Sequence, residues 1–259
     1  MRPSLKFVAI SWSLLLGTSA SQGDARSRLL ELRSLAYDAN FRNATSQLRT
    51  LSQQLGDLSQ DPDVGAAALY YSGWTDWALF NSEFEAGRKA EAGTAIASAV
   101  ERFRRLVALT PADAEAQAML CNALIGLAFA TPDGFRTVRE ELSKARRRAL
   151  ELGPTNPRVV LMDAGMVFGT PVSAGGSQER GIQRWAYAIE RFESEARQPA
   201  KDALSPRWGL ALSYGWLAQL YLGATPPRTA EAKKAAARAL SLRPDFWYVR
   251  ERILPRLRD

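Results

Sequence analysis

Histidine is absent from this 259-residue chain. That removes imidazole acid–base catalysis, Ser–His–Asp triads and histidine-ligated metals. A single cysteine, Cys121, excludes an intramolecular disulfide and a cysteine-cluster zinc site. Lysine is scarce, since arginine supplies 28 of the 34 basic residues. No uncharged apolar run reaches the roughly 18 residues that a permanent membrane span needs. Sustained polar–apolar alternation is missing too, so no strand is expected. The remainder is ordinary globular composition, 46% hydrophobic and 24% charged, which rules out wholesale disorder.

The chain begins with an address. Arg2 and Lys6 precede the uncharged run Phe7–Gly17, and Thr18-Ser19-Ala20 follows with small residues. This is the layout of a cleavable secretory leader, with the cut expected after Ala20. The expected organisation is therefore a signal peptide over 1–20 and one helical domain over 21–259, in a periplasmic or secreted protein. The net charge of +7 would raise nucleic acid as a partner elsewhere. Here the arginine clusters (Arg102, Arg104 and Arg105; Arg146 to Arg148; Arg250, Arg252, Arg256 and Arg258) fall between apolar positions at helical spacing, beside acidic residues. They read as solvated helix faces, and no nucleic-acid partner is expected.

Everything after the leader carries a helical period. Phe135, Val138, Leu142, Ala145, Ala149 and Leu152 form one apolar stripe, and Ile182, Trp185, Ile189, Phe192 and Ala196 form another. Ile96 to Leu106 and Ala232 to Leu242 repeat the pattern. Between these amphipathic helices lie others that are apolar nearly all round. Ala114–Phe129 has only Glu115, Gln117 and Asn122 as polar side chains, and Arg158–Phe168 only Arg158 and Asp163. Such helices need neighbours on both flanks. An enclosed inner helix alternating with a half-solvated outer one describes stacked helical hairpins.

Prolines punctuate the stack. Pro111, Pro154, Pro206 and Pro244 close successive units, while Thr131-Pro132, Thr170-Pro171 and Thr225-Pro226 mark the turn inside each one. Asn156-Pro157 and Ser205-Pro206 read as a helix cap followed by a first-turn proline. Five hairpins are expected, at 24–59, 63–110, 113–153, 156–199 and 205–243. A short capping helix over 245–257 would follow, ended or kinked by Pro255.

The segment Ala99–Pro111 resembles the second helix of a tetratricopeptide repeat (TPR), with Ala99, Phe103, Leu106 and Pro111 at that family's favoured positions. Ala149 with Pro154, and Ala239 with Pro244, end their helices the same way. Ala39–Ala44 resembles the family's turn into its second helix. First helices match more loosely, through Leu69 and Gly73, and Cys121 stands where a small glycine is usual. The resemblance implies an all-α, right-handed stack of about five antiparallel hairpins, a TPR-like α-solenoid. It also implies a non-enzymatic scaffold holding a peptide or partner protein in its concave groove.

No catalytic constellation stands against that expectation, and no cofactor or metal is implied. Glu140-Glu141 suit a helix N-terminus. Gly175-Gly176 lie where backbone amides can hold an anion, though an ordinary turn is the simpler reading. Asp61-Pro62-Asp63 lacks the later carboxylates of a calcium loop. Candidate groove residues are Tyr70, Trp74 and Trp77, which share one helix face, with the mid-helix polar side chains Asp76, Asn122, Asp163 and Gln219. Those four either look into the groove or pair with a backbone group or an arginine inside the stack. Aromatics at helical spacing (Tyr70, Trp74 and Trp77; Trp208, Tyr214, Trp216 and Tyr221) serve as core or as ligand box. A periplasmic small-solute binder with an aromatic pocket, auxiliary to a transport system, is the alternative. Oligomeric state is left open.

Overall fold

The computed structural model describes residues 17–200 and 202–257. Of the expected leader, residues 1–16 lie outside that range. Ten α-helices make five antiparallel hairpins: α1 (Gly17–Phe41) with α2 (Thr45–Asp57), α3 (Gly65–Glu85) with α4 (Lys89–Leu109), α5 (Ala114–Ala130) with α6 (Gly134–Leu152), α7 (Pro157–Gly169) with α8 (Gln178–Ala196), and α9 (Leu210–Leu222) with α10 (Thr229–Leu242). Each helix packs mainly on its chain neighbours, as expected of a stack. The inner helices α3, α5 and α7 bury most of their residues and α9 somewhat under half, whereas the outer helices α6 and α8 bury one stripe.

Local chemistry starts the helices where the sequence suggests. The Asp113 carboxylate caps α5 by accepting from the amides of Glu115 and Ala116. Asn156 does the same for α7, with Pro157 in its first turn, and Ser177 caps α8. Each cap gives a partner to an amide the helix itself leaves unpaired, contributing about 1 kcal/mol. Within the second hairpin, Gly73 lets the Phe103 ring approach α3, since a methyl group there would meet the ring at 2.9 Å. The Gly175-Gly176 amides are engaged inside their own turn, on the Val172 and Pro171 carbonyls.

One expectation fails. Ser205-Pro206 does not start a helix. The segment 197–209, described apart from residue 201, is an insertion between α8 and α9, and α9 begins only after Gly209, whose φ of +128° a side chain would not tolerate. A methyl group there would also clash with the Phe192 ring. The expected C-terminal cap is helical, a π-helical turn (Val249–Ile253) running into a 3-10 turn (Leu254–Leu257) that contains Pro255. This segment reaches back to the first hairpin. Phe246 meets Phe41 edge to face at 5.0 Å. Arg243 lies 4.1 Å over the Phe41 ring and pairs with Asp38 at 2.9 Å.

Candidate functional site

The inner face of the stack has two unlike halves. Along α3, Tyr70, Trp74, Trp77 and Asn81 follow one another at spacings of 4, 3 and 4, so they share one side of the helix. On α5, Glu115 and Asn122 stand seven apart and share a side likewise. The N-terminal halves of these helices lie beneath the 197–209 insertion.

That insertion is held through its main chain. Arg33 Nη1 donates to the Ala203 carbonyl at 2.6 Å, Tyr71 Oη to the Leu204 carbonyl at 2.6 Å, and Arg158 Nη2 to the Pro206 carbonyl at 2.6 Å. Leu204 and Trp208 are buried, and Trp208 Nε1 donates to Tyr70 Oη at 2.8 Å. Arg158 is the hub. Its side chain is 0% exposed, donates to both Glu195 carboxylate oxygens at 2.9 Å, and reaches Glu115 at 3.2 Å. Burial alone would lower the Arg158 pKa, but Glu115 and Glu195 outweigh it and the guanidinium stays charged. Burial also raises the Glu115 carboxyl, opposed by Arg158 and by the Asn156 amide. The Phe192 and Trp208 rings flank the Arg158 cation at 5.5 and 5.7 Å.

The other half stays open. Trp77, Asn81 and Glu85 of α3 face Trp216 of α9 and the pair Trp247-Tyr248 across a cleft, with Asn40 and Asn43 at one end. Its enclosed part measures about 50 Å³. Trp216 and Tyr248 lie 4.8 Å apart. Trp208 stands at the boundary, 5.9 Å from Trp74 and 6.1 Å from Trp77. The indoles of Trp77, Trp216 and Trp247 and the Tyr248 phenol bring hydrogen-bond donors to the cleft lining, while beneath the insertion the buried Trp74 Nε1 and Tyr37 Oη have no partner among the described residues. Burial pushes the Tyr248 phenol up to about 12, so it remains a donor near neutral pH.

The candidate residues therefore separate. Trp77 lines the open half, whereas Gln219 is not among its lining residues and accepts from Arg256 Nη1 at 2.6 Å. Asn122 is half-buried on the inner side of α5, its amide near Met119 Sδ. Tyr70 and Trp74 are buried under the insertion. Asp76 and Asp163 turn the other way, toward the outer helices, and take the arginine pairing rather than the groove. Asp76 accepts from the Ser52 hydroxyl and meets Arg102 Nη1 at 3.1 Å. Asp163 binds Arg146 Nη2 at 2.6 Å and also Arg184. The physical reason is helix phase: residues 76 and 163 fall on the sides of α3 and α7 that meet the flanking outer helices. Burial raises the Asp76 carboxyl to about 6, against Arg102 and Ser52. Cys121 is buried, its thiol pushed up to about 12 by burial, and so is not a nucleophile near neutral pH.

No family model and no curated protein matches the chain in sequence. Among solved structures it is similar to a thermophilic TPR protein from Thermus thermophilus, with 18% sequence identity and a TM-score of 0.56 over 90% of this chain and 99% of that one. The fold is thus a TPR-like all-α helical repeat. No helix among the described residues is long and apolar enough to cross a membrane.

Proposed function

We propose that this chain is an exported, non-enzymatic scaffold that holds a peptide segment of a partner protein in the open half of its inner face. The observation that carries the reading is the cleft between Trp77, Asn81, Trp216 and Tyr248. It keeps aromatic faces and hydrogen-bond donors accessible while the adjoining half is sealed. A small-solute pocket needs about 300 Å³ or more, against about 50 Å³ here, which favours a peptide laid across the cleft over a solute enclosed in it. The leader over 1–20 supports export.

The test is capture of partners from the producing cell's envelope extract by the Ser21–Asp259 chain and by its Asn81→Ala, Trp247→Ala double variant. A protein retained by the first and lost by the second supports the reading. Equal recovery by both removes the cleft from it. Export is tested separately by intact mass, which should begin at Ser21; full-length chain in the cytosol contradicts it.

A further inference from the structure

We infer that the open half takes a proline-rich peptide in the polyproline II conformation, held by its main-chain carbonyls and by proline rings laid on Trp77, Trp216 and Tyr248. The inference rests on the peptide-binding reading above and names the partner's chemistry. Three observations converge on it.

The first is continuity with a contact the fold already makes. In the sealed half, the same inner face receives a non-helical, proline-containing segment, and it does so by donating to carbonyls. Arg33, Tyr71 and Arg158 supply three such bonds, to residues 203, 204 and 206. Trp208, the last aromatic of that segment, abuts Trp77, the first wall of the cleft.

The second is the balance of donors and acceptors. The aromatic wall of the cleft brings three indole N–H groups and a phenol, beside the mixed polar side chains of Asn40, Asn43, Asn81 and Glu85. That aromatic wall suits an acceptor-rich ligand. Polyproline has carbonyls but no amide N–H, and its helix makes no internal hydrogen bonds, so every carbonyl is free. Because the conformation is preformed, little entropy is lost on docking in an aromatic-lined groove.

The third is size and charge. A cleft volume of about 50 Å³, room for only a few waters, is too small to enclose a bulky ligand and suits a narrow extended chain laid across it. Glu85 is the one acidic side chain lining the cleft, and Arg252 already lies 5.5 Å over the Trp247 ring. A cationic ligand would meet that arginine, so the charge pattern favours a neutral one.

The experiment is calorimetric titration of the Ser21–Asp259 chain with decaproline and with a glycine–serine peptide of equal length. Decaproline should bind about ten-fold tighter or more. Asn81→Ala and Trp247→Ala should each weaken it about five-fold without moving the melting temperature, and Tyr71→Phe, in the sealed half, should leave it unchanged. Nitrogen-15 spectra of the unmutated chain give a second readout: the indole signals of Trp77, Trp216 and Trp247 should shift, and those of Trp185 and Trp208 should not. Equal affinity for the two peptides overturns the inference, as does a Tyr71→Phe loss matching that of Trp247→Ala. If decaproline fails while a captured protein still depends on Asn81 and Trp247, the proline chemistry is wrong and the scaffold reading stands. Decaproline binding with no cleft-dependent capture sinks the scaffold reading instead.

Discussion

One helix, α3, shows two fates for the same residue pattern. In its first half Tyr70, Tyr71 and Trp74 are sealed beneath the 197–209 insertion, and in its second half Trp77, Asn81 and Glu85 border an open cleft. The aromatic spacing does not differ between the halves. What differs is a charge. The Arg158 side chain is fully buried on α7, and a buried guanidinium must be surrounded by acceptors. Glu115, Glu195 and the Pro206 carbonyl supply them, and bringing Pro206 there draws the insertion across the face. No such charge lies under the second half, and it remains unsealed.

The contrast breaks most severely at its hub. Arg158→Ala leaves Glu115 and Glu195 unpaired and should cost about 3–5 kcal/mol. At roughly 2–4 °C per kcal/mol for a chain of this size, the melting temperature followed by circular dichroism should fall by at least about 6 °C. A drop of only a degree or two would show that the insertion does not depend on Arg158.

Next comes Asp76, whose carboxyl is raised by burial to about 6. The folded state holds that proton more tightly than the unfolded chain does. Its contribution is therefore present below about pH 4 and is lost as pH rises through 6. The loss is up to about 3 kcal/mol by the conversion of 1.36 kcal/mol per unit. Plotted against pH from 4 to 7, the stability of Asp76→Asn should lack this decline; parallel profiles for the two proteins would contradict it.

Tyr71→Phe removes one hydrogen bond to the Leu204 carbonyl and should cost about 0.5–1.5 kcal/mol in urea unfolding. Asn81→Ala, on the open side, should stay within about 0.5 kcal/mol of the parent. If the order of these two were reversed, the cleft would be the structural half.

Much of this architecture was legible because it is local. Stripes such as Phe135–Leu152 and caps such as Asn156-Pro157 act within one or two turns, and the five hairpins follow from them. The insertion was not legible, because its partners are remote: Tyr71 meets Leu204 and Tyr70 meets Trp208 across more than a hundred residues. Ser205-Pro206 therefore read as a helix start when its surroundings make it a plug. Two signals pointed there, the long Pro154–Pro206 interval and the lone arginine of α7. The phase of Asp76 and Asp163 was harder to read, since a mid-helix acid in an all-round apolar helix carries no mark of which neighbour it faces. Asn81, Trp247 and Tyr248 were missed because three separate elements, α1, α9 and the C-terminal turns, must close around α3 before they share a cleft.

The central claim is that one inner face is core in one half and binding surface in the other. Exchange of indole N–H protons with solvent, followed by NMR on the Ser21–Asp259 chain, tests it directly. Trp208, buried and bonded to Tyr70, should exchange only through opening of the fold, whereas Trp216 and Trp247 should exchange before the first spectrum is recorded. Equal rates for Trp208 and Trp247 would contradict the account.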